Sequence, residues 1–124
     1  MKEIWKDIEE FKGVYQISNL GNVRSLDIEK EYNPIDRKTY KKLLKGKMLK
    51  TRYTSDGRKC ITLYKDNVKK FRLIHMMVAN AFIENPFEYE FVEFIDRDKS
   101  NPTASNLRWI SGEEAYEINN QSKV

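Results

Sequence analysis

Apolar and polar residues alternate over Tyr15 to Ser18 and again over Val23 to Leu26, with Asn19-Leu20-Gly21-Asn22 between them. A period of two predicts half-buried strands, and the short Gly-containing link predicts a hairpin. Met48 to Tyr53, Lys59 to Tyr64 and Lys69 to Leu73 predict three more short strands, separated by Ser55-Asp56-Gly57 and Lys65-Asp66-Asn67, both rich in turn formers. The period then lengthens. Leu73, Met76, Met77, Ala79 or Asn80, and Phe82-Ile83 fall on one face of a helix that stops before Asn85-Pro86, because the residue preceding a proline is driven out of the helical region. Phe91 to Ile95 reads as a strand, Asp96 to Ser105 as a polar loop and Leu107 to Ile110 as a second strand. Ser111, followed three residues later by Glu114, matches a capping box and opens a last helix. Asp27 to Gly46 is polar and charged, with Pro34 and Gly46, and is expected to be a long loop with a short helix near Tyr40 to Leu44. Loops of that length in small domains are usually functional or mobile. The order predicts an α+β fold: antiparallel strands, a helix, then strand-loop-strand-helix. No internal repeat or low-complexity tract interrupts it.

Composition narrows this picture. The 124 residues fit one domain spanning 1–124. A hydrophobic share of 40%, with two Trp, six Phe and seven Tyr, supports a folded chain. No run of about 18 apolar residues occurs, so no membrane span is expected, and Met1 to Asp7 lacks the apolar core of a signal peptide. Cys60 is the one cysteine and is expected to be a small buried hydrophobe in a reducing compartment. One cysteine and one histidine exclude a zinc finger built from this chain alone.

The net charge of +4 conceals a strong asymmetry. From Arg37 to Arg72, fourteen Lys and Arg face two Asp. From Glu84 to Asp98, six carboxylates face Arg97 alone. A basic middle points to a polyanionic partner; the alternative is a lysine-rich surface that is merely solvated. The residues expected to contact phosphate are Arg24, Lys41, Lys42, Lys45, Lys47, Lys50, Arg52, Lys69, Lys70 and Arg72. A two-stranded ribbon from Met48 to Tyr64 could enter a DNA groove.

Val92-Glu93-Phe94-Ile95-Asp96-Arg97-Asp98-Lys99-Ser100-Asn101, followed by Asn106-Leu107-Arg108-Trp109, resembles the active-site loop of an HNH nuclease. Together with Trp5 to Leu26, it resembles the small homing-type HNH endonucleases that carry a NUMOD4 segment. The NUMOD4-like part covers 1–53 and the HNH-like part 69–120. The resemblance implies a ββα-metal unit that cuts phosphodiesters with one divalent metal, Mg²⁺ or Mn²⁺, and one general base. It also implies double-stranded DNA as partner and a phage-type gene acting in the cytoplasm of a bacterial host.

Carried over position by position, the base falls on Phe94, where the family has His. A phenyl ring cannot accept a proton. The neighbouring ligand falls on Glu93, where Asp or Asn is usual, and the turn Gly falls on Arg97. The bracing Asn is retained as Asn106, along with Asp96, Asn101, Leu107 and Trp109. The helix ligand falls near Ala115, which has no donor. The nearest alternatives, Glu114 and Asn119, are expected on other faces of that helix. Glu93 and Asp96 remain weak metal candidates. His75 matches the histidine of the family's preceding helix, and the resemblance implies a structural residue that hydrogen-bonds and orders the site. Trp5, Tyr15 and Trp109 are expected in the core, and Ser18 and Asn19 in the turn.

Three functions follow from these expectations. The first is a DNA-binding protein of this family impaired in cutting, needing no cofactor. The second is an active metal-dependent endonuclease with a rearranged site that uses His75 as a displaced base. The third is a phage-type inhibitor that presents the acidic stretch to a host enzyme or defence complex.

Overall fold

The computed structural model describes residues 1–121, so the last three positions of the expected 1–124 unit lie outside it. Among the described residues the strands form small antiparallel sheets. β1 (Trp5–Asp7), β2 (Tyr15–Ser18) and β3 (Val23–Ser25) form the first, and β4 (Ile28–Tyr32) pairs with β5 (Tyr40–Leu44). β6 (Arg52–Tyr53), β7 (Lys59–Lys65) and β8 (Val68–Leu73) form a third sheet, and β9 (Phe91–Phe94) pairs with β10 (Leu107–Ile110). The helices are α1 (Ile74–Phe82) and α2 (Gly112–Gln121). The fold is α+β, with α1 at its centre.

No side chain caps the start of α1. Burial supplies its stability instead. Ile74, Met77, Val78 and Ala79 enter one cluster with Ile17 and Val23 of the first sheet, Ile61 and Leu63 of β7, and Phe94 and Leu107 of the last pair. Each fully buried aliphatic side chain contributes about 1.5–3 kcal/mol. The two regions of family resemblance therefore share a core.

The predicted hairpin is β2–β3, with Ile17 opposite Val23. β1 escaped prediction because three residues, two of them charged, show no alternation. Two other expectations need correction. Asp27 to Gly46 is neither loop nor helix; it carries the ribbon β4–β5, in register from Ile28↔Leu44 to Tyr32↔Tyr40. The Tyr32 and Tyr40 rings stack at 5.2 Å, and the base is closed by the Gly46 amide donating to Asp27 Oδ1 at 2.7 Å. Almost every ribbon residue is exposed, so there was no buried face to impose a hydrophobic period. Second, Met48 to Tyr53 is not one strand. Met48 bridges Arg24 while Arg52 and Tyr53 join β7.

Asn19 ties these parts together. It is 7% exposed. Its Oδ1 accepts the Ile4 amide at 2.7 Å, and its Nδ2 donates to the Lys2 carbonyl at 3.1 Å. Its own carbonyl accepts the Ala104 amide at 2.8 Å, at the approach to β10. Nearby, Gly21 has φ +86°, and a Cβ there would lie 2.5 Å from Pro102 Cγ. The residues expected merely to turn the chain thus dock the first sheet against the last loop.

Asn19→Ala removes two hydrogen bonds from a buried side chain to the N-terminal backbone and is expected to lower unfolding free energy by about 1–3 kcal/mol. Urea denaturation checks this; an unshifted midpoint would show that the docking contributes nothing.

Candidate functional site

β9 and β10 form the floor of a cleft of about 650 Å³ that α2 closes from one side. Glu93 lies directly opposite Arg108, and Phe94 opposite Leu107. Between the strands, Asn106 braces the loop. Its Oδ1 accepts the Asp96 amide at 2.9 Å, and its Nδ2 donates to Asp96 Oδ1 at 2.8 Å and to the Asn101 carbonyl at 2.9 Å. Asp96 also accepts the Asp98 amide at 2.8 Å and Asn101 Nδ2 at 3.0 Å. These donors, the Asp98 amide foremost, hold its carboxyl below the usual carboxylate range. Asp96 is committed to the loop and is not part of the cleft wall.

Phe94, 9% exposed, stands in the wall against His75, 5% exposed, with ring centroids 4.7 Å apart. An apolar ring on a strand needs no hydrogen-bond partner and suits this packing. His75 departs from the expected hydrogen-bonding role: its buried Nδ1 has no partner among the described residues. Burial first, with the nearby Arg58 charge, pushes its pKa down to about 4, so the ring is neutral at pH 7.

Glu93 faces the cleft, but Arg108 holds it. The guanidinium Nε donates to Glu93 Oε1 at 2.6 Å and Nη2 approaches the same oxygen at 2.5 Å. This bond raises the Arg108 pKa above its ordinary value. Arg108 Nη2 also lies 3.5 Å from Glu114 Oε2. Glu114 meanwhile closes the predicted capping box: its amide donates to Ser111 Oγ at 3.1 Å, and its Oε1 accepts the Ser111 amide at 3.3 Å.

Ala115 and Asn119 both line the cleft. The expectation that Asn119 lies on another face is corrected: residues four apart on a helix share a face. Arg58, Arg97 and Lys99 also line it, with Asp56. Asp56 pairs with Arg58 at 3.0 Å and lies 4.0 Å from Lys99. Pocket-lining residues from the β6–β7 turn could not be read from the sequence, because that turn reaches the cleft only through folding.

The donors available to a divalent cation at this cleft are few. Among the described residues no three His, Cys, Asp or Glu side chains converge on a metal position. Glu93 already carries a cation, Ala115 has no donor atom, and Phe94 offers none.

The residues expected on phosphate separate into two groups. Arg24 and Arg72 are spent internally. Arg24 stacks 4.2 Å over Trp5 and donates to Gln16 Oε1 at 2.9 and 2.7 Å. Arg72 makes a two-pronged pair with Glu10, with Nη2 to Oε2 at 2.7 Å. Lys70 shares the side of the third sheet that carries Leu63. Arg52 and Lys69 lie on its outer side with Thr62, Tyr64 and Phe71. There Arg52 donates to Thr62 Oγ1 at 2.8 Å and sits 5.7 Å from the Phe71 ring. Lys41 and Lys42 occupy opposite faces of the ribbon, and Lys45, Lys47 and Lys50 are exposed beyond it. Lys30, outside the expected set, stands directly across from Lys42 beside the Tyr32 ring. Its segment reads as a loop in the sequence, which hid this pairing.

The model of the NUMOD4 motif matches residues 3–64. The chain is similar to DNA endonuclease I-HmuI of Bacillus phage SP01, 34% identical over 107 residues, covering 86% of this chain and 52% of that protein. It is similar to the uncharacterized HNH endonuclease L245 of Acanthamoeba polyphaga mimivirus, 36% identical over 107 residues, covering 86% of this chain and 27% of that protein. A solved structure of the HNH homing endonuclease I-HmuI superposes with a TM-score of 0.71 at 32% identity, covering 97% of this chain and 58% of that one. The chain thus spans about half the length of I-HmuI and about a quarter of the mimivirus protein. With a NUMOD4 segment docked on a β9–β10–α2 unit braced by Asn106, the chain belongs to the NUMOD4-containing HNH homing endonuclease family.

Proposed function

We propose that the chain binds duplex DNA and is impaired in cutting it. The observation that carries this is the Arg108–Glu93 pair beside Phe94: the carboxylate that would serve a metal is neutralised, and the adjacent position has no proton acceptor. Loss of a general base alone costs about 10²–10⁴-fold in rate. His75 does not replace it. A group with a pKa near 4 is a poor base at neutral pH, and its Nδ1 is fully enclosed.

DNA as partner is supported by I-HmuI, whose solved structure concerns DNA binding and cleavage. It is supported also by the ribbon. Two strands alone are marginally stable, and like charges directly opposite each other destabilise a strand pair. A Lys30–Lys42 pair flanked by stacked tyrosines is understandable where phosphates neutralise it. The outer side of β6–β8 adds Arg52 and Lys69 with exposed aromatic rings. The acidic stretch opposes this less than its composition suggested, because Glu93 is paired with Arg108.

Duplex binding is expected to weaken with salt. Each phosphate that a lysine neutralises adds about 0.9 to the log–log salt slope, so the double variant Lys30→Ala/Lys42→Ala should reduce that slope by roughly 2. Arg72→Ala should leave the slope unchanged. Fluorescence anisotropy decides: absent binding, or equal slopes for all three proteins, would remove the proposed interface.

Supercoiled plasmid with Mg²⁺ or Mn²⁺ is expected to stay intact. Phe94→His alone should not restore cleavage, because Arg108 still holds Glu93. Nicking by the unaltered chain that EDTA abolishes would refute the impairment.

His75 has a folded pKa of about 4 against an ordinary 6.5, so on acidification the unfolded chain takes up the proton first. Its contribution is complete above pH 6.5 and falls as pH drops toward 4. Between pH 6.5 and 5 the loss should be about 1.6 kcal/mol, the slope rising toward 1.36 kcal/mol per unit below the unfolded pKa. Urea unfolding should show this slope in the parent and not in His75→Met; a flat parent curve would contradict it.

A further inference from the structure

The tip of the β4–β5 ribbon carries a side chain that phosphate contact does not use. Residues 33–39 join the two strands, and among them Ile35 is 107% exposed, so folding buries none of it. The tip is nevertheless braced. Thr39 Oγ1 donates to Asn33 Oδ1 across it at 2.6 Å, and the Tyr32 and Tyr40 rings stack directly below at 5.2 Å. Pro34 fixes its own φ next to Ile35. A β-branched side chain has few rotamers to lose when it is pinned. An apolar group is therefore presented at the end of a shaped arm.

The two faces of that arm differ. Alternation places Lys30 and Lys42 on the Tyr32–Tyr40 face, whereas Glu29, Glu31 and Lys41 lie on the other. At the tip, Arg37 and Lys38 outnumber Asp36. One face and the tip are thus cationic, and the opposite face is net acidic. Each strand has five residues and spans about 17 Å, enough to carry the tip past a row of phosphates to the base pairs.

We propose that Ile35 is a wedge. With the Lys30–Lys42 face on duplex DNA, it enters one base step from the minor groove and partly unstacks it. Apolar side chains delivered by a cationic element act in this way at other DNA sites, and isoleucine is among those that fit. Pyrimidine–purine steps open at least cost and are the expected point of entry. A protein pocket would accept isoleucine without lysines leading to it, so the charge of the arm favours a polyanion. This rests on the duplex-binding reading and adds that the bound DNA is deformed at the ribbon tip, away from the cleft.

The test is anisotropy titration of the full chain with two duplexes of one sequence, one fully paired and one with a central C·C mismatch. Each carries 2-aminopurine beside the central pair. Unstacking costs least where pairing is already broken, so the parent should bind the mismatched duplex about five-fold or more tightly than the paired one, and 2-aminopurine emission should rise on binding. Ile35→Ser should abolish both effects and leave the salt slope unchanged, since no charge is lost. Its melting temperature should hold, because the position is exposed. Ile35→Phe should keep the preference. Lys30→Ala/Lys42→Ala should weaken both duplexes and keep their ratio. Equal binding of the two duplexes by the parent, a preference that survives Ile35→Ser, or unchanged emission would overturn the wedge. Salt-dependent duplex binding accompanied by any of these leaves the duplex reading standing, with the tip then free for a protein pocket. Absence of binding to either duplex overturns both.

Discussion

The packing of this chain depends on one buried amide. Asn19 joins the N-terminal segment, the β2–β3 turn and the approach to β10 through both ends of its side chain and its own carbonyl. Gly21 and Pro102 meet closely beside it. Because α1 packs against the same hairpin and the same last strands, this contact sets where the β9–β10 floor lies relative to the basic sheets. The NUMOD4-matched part and the β9–β10–α2 unit are held as one packed body by a few polar bonds in an apolar setting, where an unmade bond is costly.

Within that frame the shape of the cleft and its chemistry rest on different residues. Asn106 still braces the loop, and Ser111 and Glu114 still start α2. These are bonds that folding needs. The side chains at the cleft itself are ones that the backbone ladder does not need: Phe94 packs on His75, Arg108 pairs with Glu93, and Ala115 leaves space. A strand accepts phenylalanine for histidine at little cost because the backbone ladder is indifferent to it. The same indifference allows an apolar wall and arginines to share one cleft.

The electrostatics of the chain show why charge counts mislead. Of the arginines that seemed available to phosphate, Arg24 and Arg72 are bound to Gln16, Trp5 and Glu10. Conversely, Lys30 lies outside the basic stretch in sequence and joins it through the ribbon register. Exposure and pairing decide which cations can meet a polyanion, and both belong to the fold.

Local pattern alone determined the β2–β3 hairpin, α1, the β9-loop-β10 unit and the capping box, since each rests on near-neighbour spacing and burial period. The motif residues also marked Phe94, Glu93, Asn106 and Ala115 as positions of chemical interest without any knowledge of the fold. Tertiary structure decided the rest. The β4–β5 ribbon has no buried face to betray it, the split of Met48 to Tyr53 depends on two different partners, and the cleft brings Arg58 of the β6–β7 turn to Arg97 of the β9–β10 loop. Side-chain partnership across long stretches of chain leaves no periodic trace, so it could be known only once those stretches were packed together.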